Sequence, residues 1–270
     1  MTKDTGAERR LRLGELVSQR GFLRVIDGAM LLDVSEVTIR GDLSALEEAG
    51  EVVRVHGGAM PRLAITPEPS LEQALSVSAD SKRAIGRAAA ALVSTGESVV
   101  LDVGSTAMAV ARALVEREEL DNVTIITNGL SIALALEAAQ PRFTIVVTGG
   151  TLRPLQHSLV NPGASAFLES LHTDLAIIGC NGVDPERGVT NINYPEAEVK
   201  RRMLQSSKRS VLIADSSKLG QAHLGVIGAV SDFDLLVTGA DAPTAILGEL
   251  RARGLDVFQT SIGKQELGQQ

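Results

Sequence analysis

The larger part of this 270-residue chain contains several short polar turns, each of which follows an apolar run. One of them, Gly104-Ser105-Thr106, stands between a β-branched run and a stretch of helical period. Glycine lets an anion approach the backbone, hydroxyls donate hydrogen bonds, and the free N–H groups at a helix start carry partial positive charge. These residues therefore predict an anion site, with phosphate as the ligand. Taken alone, the motif is also typical of an ordinary strand-to-helix turn.

Similar turns follow the later runs, which strengthens the prediction of a ligand site. They are Asn128-Gly129, Gly149-Gly150, Asn181-Gly182 and Asp215-Ser216-Ser217-Lys218. In a parallel sheet the carboxyl ends of the strands meet at one edge, where α/β proteins hold their ligands. We expect Lys218 to pair there with a phosphate or a sugar hydroxyl.

Charged residues near these turns complete a set of donors and acceptors that suits a polyol. They are Asp102, Asp215, Glu196, Glu198 and Lys200. For the last three, which belong to one predicted helix, a solvated helix face is the alternative interpretation.

Regular alternation of two patterns predicts the elements that position these residues. Compact β-branched runs occupy 98–103, 123–127, 143–148, 175–180, 210–214 and 234–238. Stretches of helical period occupy 82–93, 106–117, 130–139, 163–171, 196–206 and 243–253. This order predicts an α/β domain with a mostly parallel sheet covered by helices on both faces.

The first sixty residues have a different pattern. Helices are predicted at 8–19, 25–32 and 35–50, and the last places Ile39, Leu43 and Leu46 on its inner face. Two helices joined by a tight turn form a helix-turn-helix, whose second helix enters the DNA major groove. Residues 51–56 alternate valines with polar residues, which predicts a β-wing that ends at Gly57 and Gly58.

The outer face of the last helix and the wing supply the expected DNA contacts. Ser35 is expected to cap the helix, Thr38 and Arg40 to contact bases or phosphates, and Arg54 to contact the DNA backbone or minor groove. For His56 a packed turn residue is an equally good interpretation. The full predicted set is Ser35, Val37, Thr38, Arg40, Gly41, Arg54 and His56.

Composition narrows the possible functions. With 2% aromatic residues and a net charge of −7, the chain lacks the stacking surfaces of single-strand binders and a broadly basic coat. A single cysteine, Cys180, excludes an intramolecular disulfide and a four-cysteine zinc site, and the histidines lack metal-ligand spacing. We expect no metal and no cofactor. The absence of a signal-peptide pattern or an apolar span predicts a soluble cytoplasmic protein.

The N-terminal motif resembles the winged helix-turn-helix of the DeoR family of bacterial transcriptional regulators. The segment Val34-Ser35-Glu36-Val37-Thr38-Ile39-Arg40-Gly41-Asp42-Leu43 is followed by Leu46-Glu47, Gly50 and Arg54-Val55-His56-Gly57-Gly58-Ala59. Gly41 stands where the family usually has a second arginine, which removes one expected phosphate or base contact.

The larger part of the chain is similar to the sensor domain of the same family. The resemblance rests on Lys82 and Ile85, Asp102-Val103-Gly104-Ser105-Thr106, Thr127-Asn128, Gly149-Gly150, Gly163, Gly182-Val183-Asp184, Gly188, Thr190, Glu196-Ala197-Glu198-Val199-Lys200, Met203 and Asp215-Ser216-Ser217-Lys218-Leu219-Gly220. It implies a fold like that of ribose-5-phosphate isomerases and a sugar-phosphate effector site. Many members end the last strand with Thr-Asp, whereas this chain has Thr238-Gly239-Ala240-Asp241, so we do not expect a ligand contact from that aspartate.

The sequence therefore predicts three segments: a DNA-binding domain at 1–60, a linker rich in glycine and proline at 61–80, and an effector-binding domain at 81–270. The leading hypothesis is an oligomeric repressor, dimer or tetramer, of carbohydrate genes, whose affinity for double-stranded operator DNA changes when a phosphorylated sugar binds. The resulting effector-binding set is Asp102, Gly104, Ser105, Thr106, Asn128, Gly149, Gly150, Asn181, Gly182, Glu198, Lys200 and Lys218.

Two other functions remain open at this stage. A sugar-phosphate isomerase would use Asp102, Asp215 or Glu198 as the base and Lys218 as the electrostatic stabiliser. A metabolite-binding protein would use its first domain only for contacts with a partner protein.

Overall fold

The computed structural model describes residues 6–20, 23–55, 57–61 and 68–261. The chain divides into two units, Met1–Glu68 and Pro69–Gln270. Each unit has apolar core clusters of its own. Every helix in the described part of the chain is too short or too polar to cross a lipid bilayer.

The first unit contains a helix-turn-helix and a small antiparallel sheet. Its described elements are α1 (Gly6–Arg20), β1 (Leu23–Arg24), α2 (Val25–Leu32), α3 (Glu36–Glu48), β2 (Val52–Val55) and β3 (Gly58–Pro61). Asp33 ends α2 with a left-handed φ of 52°, which turns the chain toward α3. Ile39 and Leu43 of α3 are buried with Leu13 of α1. Strand β3 pairs with both β1 and β2. The predicted helix-turn-helix with a β-wing is confirmed.

A seven-stranded sheet forms the centre of the second unit. In spatial order its strands are β15 (Asp256–Gln259), β14 (Leu235–Thr238), β12 (Ser207–Ala214), β9 (Thr173–Gly179), β4 (Ser98–Leu101), β5 (Val123–Thr127) and β6 (Phe143–Val147). Every neighbouring pair in this sheet is parallel. The predicted parallel α/β architecture is therefore confirmed, and β15 adds an edge strand that the sequence analysis did not predict.

Helices cover both faces of this sheet. The helices of the second unit are α4 (Leu71–Ser76), α5 (Ala79–Ala90), α6 (Ser105–Glu116), α7 (Leu130–Leu136), α8 (Gly163–Glu169), α9 (Tyr194–Gln205) and α10 (Thr244–Ala252). Residues of α5, α6 and α7 share a core cluster with Val99 and Leu101 of β4. The intervening Val100 belongs to the opposite cluster, with residues of α8, α9 and α10. This two-residue alternation makes each central strand apolar on both faces.

Two small antiparallel sheets stand beside the main one. Strand β7 (Thr151–Arg153) pairs with β8 (Ser158–Val160), and β11 (Gly188–Asn191) pairs with β10 (Gly182–Asp184) and β13 (Gly225–Gly228). These strands have three or four residues each, too few for a clear alternation of apolar and polar side chains. The sequence pattern therefore does not predict them.

Helix α4 lies within the segment that the sequence predicts as a linker. Ser70 and Gln73 form a reciprocal capping box at its start, which explains a helix in a stretch with few apolar residues. Gln156 Nε2 donates to the carbonyl oxygen of Pro69, 2.7 Å away. At the other end of α4, Lys82 Nζ donates to two carbonyl oxygens, those of Ala74 and Val77, at 2.8 Å each. Side chains of the second unit thus hold α4 at both ends.

Close packing of α5 on α6 depends on Gly86. A Cβ at this position would lie 2.6 Å from the carbonyl carbon of Ala109, which is backbone and cannot move without shifting α6. We expect Gly86→Ala to lower the free energy of unfolding by about 1–3 kcal/mol, because overpacking outweighs the better helix propensity of alanine. Urea unfolding of the full chain followed by circular dichroism measures this loss.

Gly248 of α10 is the matched control, since it is also a helix-interior glycine but has no atom within 4 Å of a built Cβ. Gly248→Ala is expected to raise the free energy of unfolding by about 0.5–1 kcal/mol. Equal gains from the two alanines would contradict the packing argument.

Candidate functional site

The start of the recognition helix α3 is fixed by two of the predicted DNA-contacting residues. Ser35 is the N-cap, and its Oγ accepts a hydrogen bond from the Thr38 N–H at 3.1 Å. The two hydroxyls lie 2.9 Å apart. Ser35 therefore has the capping geometry that the sequence predicts, and it orders the first turn that the helix presents to solvent.

One face of α3 carries the other predicted contacts. Val37 is 75% exposed, and the Arg40 side chain is 54% exposed and pairs with Glu36 at 2.8 Å. Gly41 has open space where a side chain would begin. These positions, together with Ser44, recur at intervals of three and four residues. The opposite face packs into the core, so the chain offers a small, solvent-exposed reading surface.

Arg54 connects the wing to the same helix. Its Nη1 donates to Ser44 Oγ at 2.9 Å, and its backbone N–H donates to Glu47 Oε1 at 3.0 Å. The guanidinium thus lies beside the exposed face of α3. His56, also predicted as a contact, lies outside the described residues.

An ion pair that the sequence analysis missed joins α1 to α3. Asp42 is 5% exposed and accepts hydrogen bonds from Arg9 Nε at 2.6 Å and Arg9 Nη2 at 3.2 Å. The Arg9 guanidinium therefore neutralises a buried carboxylate inside the unit.

In the second unit, Asp102 and Lys200 form a buried ion pair at the carboxyl end of β4. Asp102 Oδ2 accepts a hydrogen bond from Lys200 Nζ and another from the Gly179 N–H at 2.9 Å. Lys200 Nζ also donates to the Gly179 carbonyl oxygen at 3.1 Å. Burial alone would lower the pKa of Lys200, but the Asp102 carboxylate, with Glu196, raises it above its ordinary value. The structure brings these two predicted residues together.

Two buried acceptors at neighbouring strand ends have no hydrogen-bond partner in the described part of the chain. They are Asp102 Oδ1, after β4, and Asn128 Oδ1, after β5. Asn128 uses its Nδ2 to donate to the Leu159 carbonyl oxygen at 3.1 Å. An unsatisfied buried acceptor costs about 1–3 kcal/mol. Both oxygens therefore suit a partner that brings hydrogen-bond donors.

The turn before α6 has the geometry of an anion site. Gly104 has a φ of 104° and is the N-cap of α6, which begins at Ser105 and continues through Thr106. No atom lies within 4 Å of a Cβ built on Gly104, so the backbone is accessible there. The N–H groups of the first helical turn lack intrahelical partners and carry partial positive charge.

Lysine ammonium groups supply further positive charge at the ends of the neighbouring strands. Lys218 is half-buried in the turn Ser216–Lys218 after β12, and its ammonium has no partner in the described part of the chain. Lys82 Nζ lies 3.9 Å from Asp215 Oδ2. Burial lowers the pKa of Lys82, the Asp215 carboxylate opposes this, and the charge of Lys218 lowers the pKa further.

Other predicted residues have mainly structural contacts. Asn181 Oδ1 accepts from the Ile192 N–H at 2.9 Å. A Cβ on Gly182 would lie 2.3 Å from the Gln221 carbonyl oxygen, and one on Gly150 would lie 2.7 Å from that of Val160. Gly149, with a φ of 73°, has open space beside it.

Glu198 lies away from the buried Asp102–Lys200 pair, and Glu196 is the glutamate on the buried face of α9. The Glu198 side chain is 32% exposed and pairs with Arg201 on the outer face of α9. Glu196 is 3% exposed and accepts hydrogen bonds from Arg153 Nη1 at 2.7 Å and from the Ser158 hydroxyl. The grouping of Glu198 with Lys200 is corrected, because residues four apart, 196 and 200, share a helix face whereas 198 does not. That spacing was the signal available in the sequence.

In the described ranges, no three His, Cys, Asp or Glu side chains are grouped so that they could hold a metal ion.

Comparison with known proteins gives matches to both units. The model of the DeoR-like helix-turn-helix domain matches residues 9–61, and that of the DeoR C terminal sensor domain matches residues 77–240. The chain is 35% identical to a protein provisionally named as the aga operon transcriptional repressor of Escherichia coli O157:H7, over 93% of each chain. It is 32% identical to the glycerol-3-phosphate regulon repressor of Haemophilus influenzae, over 90% of this chain and 92% of that one. Among solved structures, ribose 5-phosphate isomerase A of Methanocaldococcus jannaschii is 22% identical, with a TM-score of 0.38, over 51% of this chain and 53% of that one.

The buried ion pair is expected to respond strongly to loss of either partner. Lys200→Met leaves the Asp102 carboxylate buried without its cation and is expected to lower the free energy of unfolding by about 3–5 kcal/mol. Combining it with Asp102→Asn is expected to cost less than the sum of the two single changes. Because the pKa of Lys200 is raised above 10.5, the contribution of the pair is present below that pH and is lost as the pH rises through the folded pKa. Urea unfolding at neutral and alkaline pH measures both effects.

Glu198→Gln is the control on the same helix, since it breaks the more exposed pair with Arg201. It is expected to cost less than about 1 kcal/mol. A loss as large as that of Lys200→Met would contradict the distinction between the two pairs.

Proposed function

The chain belongs to the DeoR family of DNA-binding transcriptional regulators, and from this premise we propose that it represses genes of carbohydrate metabolism under control of a phosphorylated sugar or related metabolite. Its relatives are named as regulators, which removes the basis of the isomerase hypothesis. Repression takes place in the cytoplasm, where the operator DNA lies.

The observation that carries the proposed effector is the chemistry of one sheet edge. Unsatisfied acceptors, Asp102 Oδ1 and Asn128 Oδ1, lie at the ends of two adjacent strands. The first turn of α6 follows β4, the strand that also precedes Asp102, and Lys218, whose ammonium has no partner among the described residues, follows β12 of the same sheet. Sugar hydroxyls donate to the acceptors, and a phosphate pairs with the cation and the helix N-terminus. A phosphorylated sugar carries both kinds of group in one molecule.

The proposed DNA contacts occupy the exposed face of α3 and the wing. Arg40 and Arg54 are cations for phosphates or guanine edges, and the exposed Val37 is an apolar contact for a thymine methyl group. Gly41 leaves room for the backbone of α3 to approach the groove. Ser35 and Thr38 act at the first turn, where a helix start attracts phosphate. His56 remains a prediction from the sequence.

Coupling between the DNA-contacting face and the effector site runs through α4, the first helix after the helix-turn-helix domain. Lys82 Nζ donates hydrogen bonds to the carbonyl oxygens at the end of α4. It also lies beside Asp215, at the sheet edge proposed for the effector. A phosphate near Lys218 also attracts the Lys82 ammonium, and so competes with those carbonyls. A differential binding energy of about 1–3 kcal/mol changes operator affinity about 5–150-fold.

The proposed repressor acts as an oligomer, dimer or tetramer. One helix-turn-helix domain contacts DNA through few side chains. Two paired domains contact half-sites about 34–36 Å apart or at multiples of that distance. An effector can then act by changing how well two domains fit two half-sites.

Gly41 allows a gain-of-function test of the reading face. Gly41→Arg adds a cation in open space on that face, so we expect tighter binding to duplex DNA from upstream of its own gene. The slope of the logarithm of affinity against the logarithm of salt concentration is expected to steepen by about 1. Fluorescence anisotropy at about 50–200 mM salt measures affinity and slope.

Gly41→Ala is the control, because it improves helix propensity without adding charge. Identical salt slopes for the arginine and alanine variants would show that this face does not contact DNA.

Lys218 provides the corresponding test of the effector site. The ligands tested are ribose 5-phosphate, glucose 6-phosphate and fructose 6-phosphate. For each one that changes operator binding of the wild type, Lys218→Ala is expected to raise the half-effective concentration about ten- to a hundredfold. The reason is loss of a charge-assisted hydrogen bond to phosphate. Anisotropy of labelled operator DNA during titration with each sugar phosphate measures the half-effective concentration.

Lys208→Ala is the matched control, since Lys208 is a lysine near the start of β12, the strand that precedes the Lys218 turn, and its side chain is 73% exposed and pairs with Asp174. An unchanged response in Lys218→Ala would remove Lys218 from the site. A wild-type chain that responds to none of the three sugar phosphates would overturn their proposed role.

A further inference from the structure

The end of β14 forms a polar corner outside the site described above. This β14 corner consists of Thr238, Gly239, Asp241, Ser81 and Ser216. Strand β14 is the direct neighbour of β12, whose following turn carries Lys218. The corner therefore lies at the same sheet edge as the proposed effector site, about 4.8 Å further along it.

Asp241 folds back onto the strand end that Gly239 leaves vacant. A Cβ built on Gly239 would lie 2.5 Å from Asp241 Oδ1 and 2.3 Å from Ser81 Oγ. The carboxylate thus occupies the space where a side chain of residue 239 would begin. This chain lacks an aspartate directly after Thr238, yet it presents a carboxylate at that point from two residues later.

Hydrogen bonds hold Asp241 in this position. Its Oδ2 accepts from Ser216 Oγ at 2.5 Å, which ties it to the turn that carries Lys218. Gln259 Nε2, from β15, donates to the carbonyl oxygens on both sides of Asp241, at 2.9 Å to Ala240 and 3.2 Å to Ala242. The loop is therefore fixed, and the direction of the carboxylate with it.

The corner has unused hydrogen-bonding capacity. Ser81 Oγ and Thr238 Oγ1 are buried and have no partner in the described part of the chain, and Thr238 is fully buried. Asp241 Oδ1 accepts no hydrogen bond from the described residues. Hydroxyls next to a carboxylate, beside the turn that carries Lys218, suit a ligand that has an anionic group at one end and hydrogen-bond donors at the other.

We infer that Asp241 is a ligand-contacting residue that selects sugar phosphates over inorganic phosphate. This inference rests on the proposed function. Lys218 takes the phosphate, and Asp241, with Ser81 beside it, accepts hydrogen bonds from hydroxyls of the carbon chain. Bare phosphate gains nothing from Asp241, because its charge has the same sign. The carboxylate thus rejects a small anion and accepts a polyol that carries one.

Calorimetric titration of the full chain tests the inference with four probes: ribose 5-phosphate, glucose 6-phosphate, fructose 6-phosphate and inorganic phosphate. Asp241→Asn is expected to lower the affinity for those sugar phosphates that bind the wild type by about tenfold or more. Inorganic phosphate is expected to bind the variant as well as or better than the wild type. A purely structural role for Asp241 would weaken all four probes alike.

Two further variants sharpen the result. Gly239→Asp combined with Asp241→Gly moves the carboxylate directly onto the strand end, where only the Ser81 hydroxyl must rotate away, and is expected to recover most of the lost sugar-phosphate affinity. Asp256→Asn, at the opposite end of neighbouring strand β15, is the control and is expected to change nothing. Thermal unfolding confirms that each variant folds.

Two results overturn the inference but leave the proposed function standing: an unchanged sugar-phosphate affinity in Asp241→Asn, or an equal loss of affinity for all four probes. A wild-type chain that binds none of the three sugar phosphates overturns the inference together with the proposed role of these three effectors.

Discussion

The buried ion pair between Asp102 and Lys200 is the constraint on which the sheet edge depends. It joins the end of β4 to α9. Through the backbone N–H and carbonyl oxygen of Gly179 it also joins β9. Burying two charges brings little net stability, because their desolvation offsets most of their attraction. The benefit is positional: neither group tolerates a shift that would leave the other buried and unpaired. The ends of the two central strands are therefore held in fixed register with one helix.

The same helix extends this constraint to the loops around the edge. One turn before Lys200, Glu196 accepts hydrogen bonds from Arg153 and Ser158 on the β7–β8 hairpin and from Asn191 on β11. Helix α9 thus fastens two small sheets that have little core of their own. Asp102 Oδ1 and Asn128 Oδ1 remain without partners inside this fixed frame. A rigid frame with unsatisfied acceptors favours a ligand, since the frame cannot relax to satisfy them.

How much the sequence predicts depends on the range of the interaction involved. The parallel sheet, its helices and the helix-turn-helix follow from local periodicity, and the turns at the strand ends follow from residue type. Glu196 was separable from Glu198 by helical spacing, but its partners Arg153 and Ser158 on the β7–β8 hairpin lie 43 and 38 residues earlier in the chain. The return of Asp241 to the place of residue 239 depends on backbone path and on a clamp from Gln259, which no local pattern encodes. The burial of Asp42 by Arg9, 33 residues earlier, is of the same kind.

That last pair also explains how a chain of net charge −7 can present a surface suited to duplex DNA. Arg9 neutralises Asp42 within the core, so this acid of α3 adds no charge to the reading face. Glu36 pairs with Arg40 at the surface, and an exposed pair is worth only about 0–1 kcal/mol, so a DNA phosphate displaces the glutamate at little cost. Arg54 is already held beside α3 by Ser44, which reduces the ordering needed on binding. We propose that operator affinity depends on two helix-turn-helix domains binding together, and that an effector changes this arrangement.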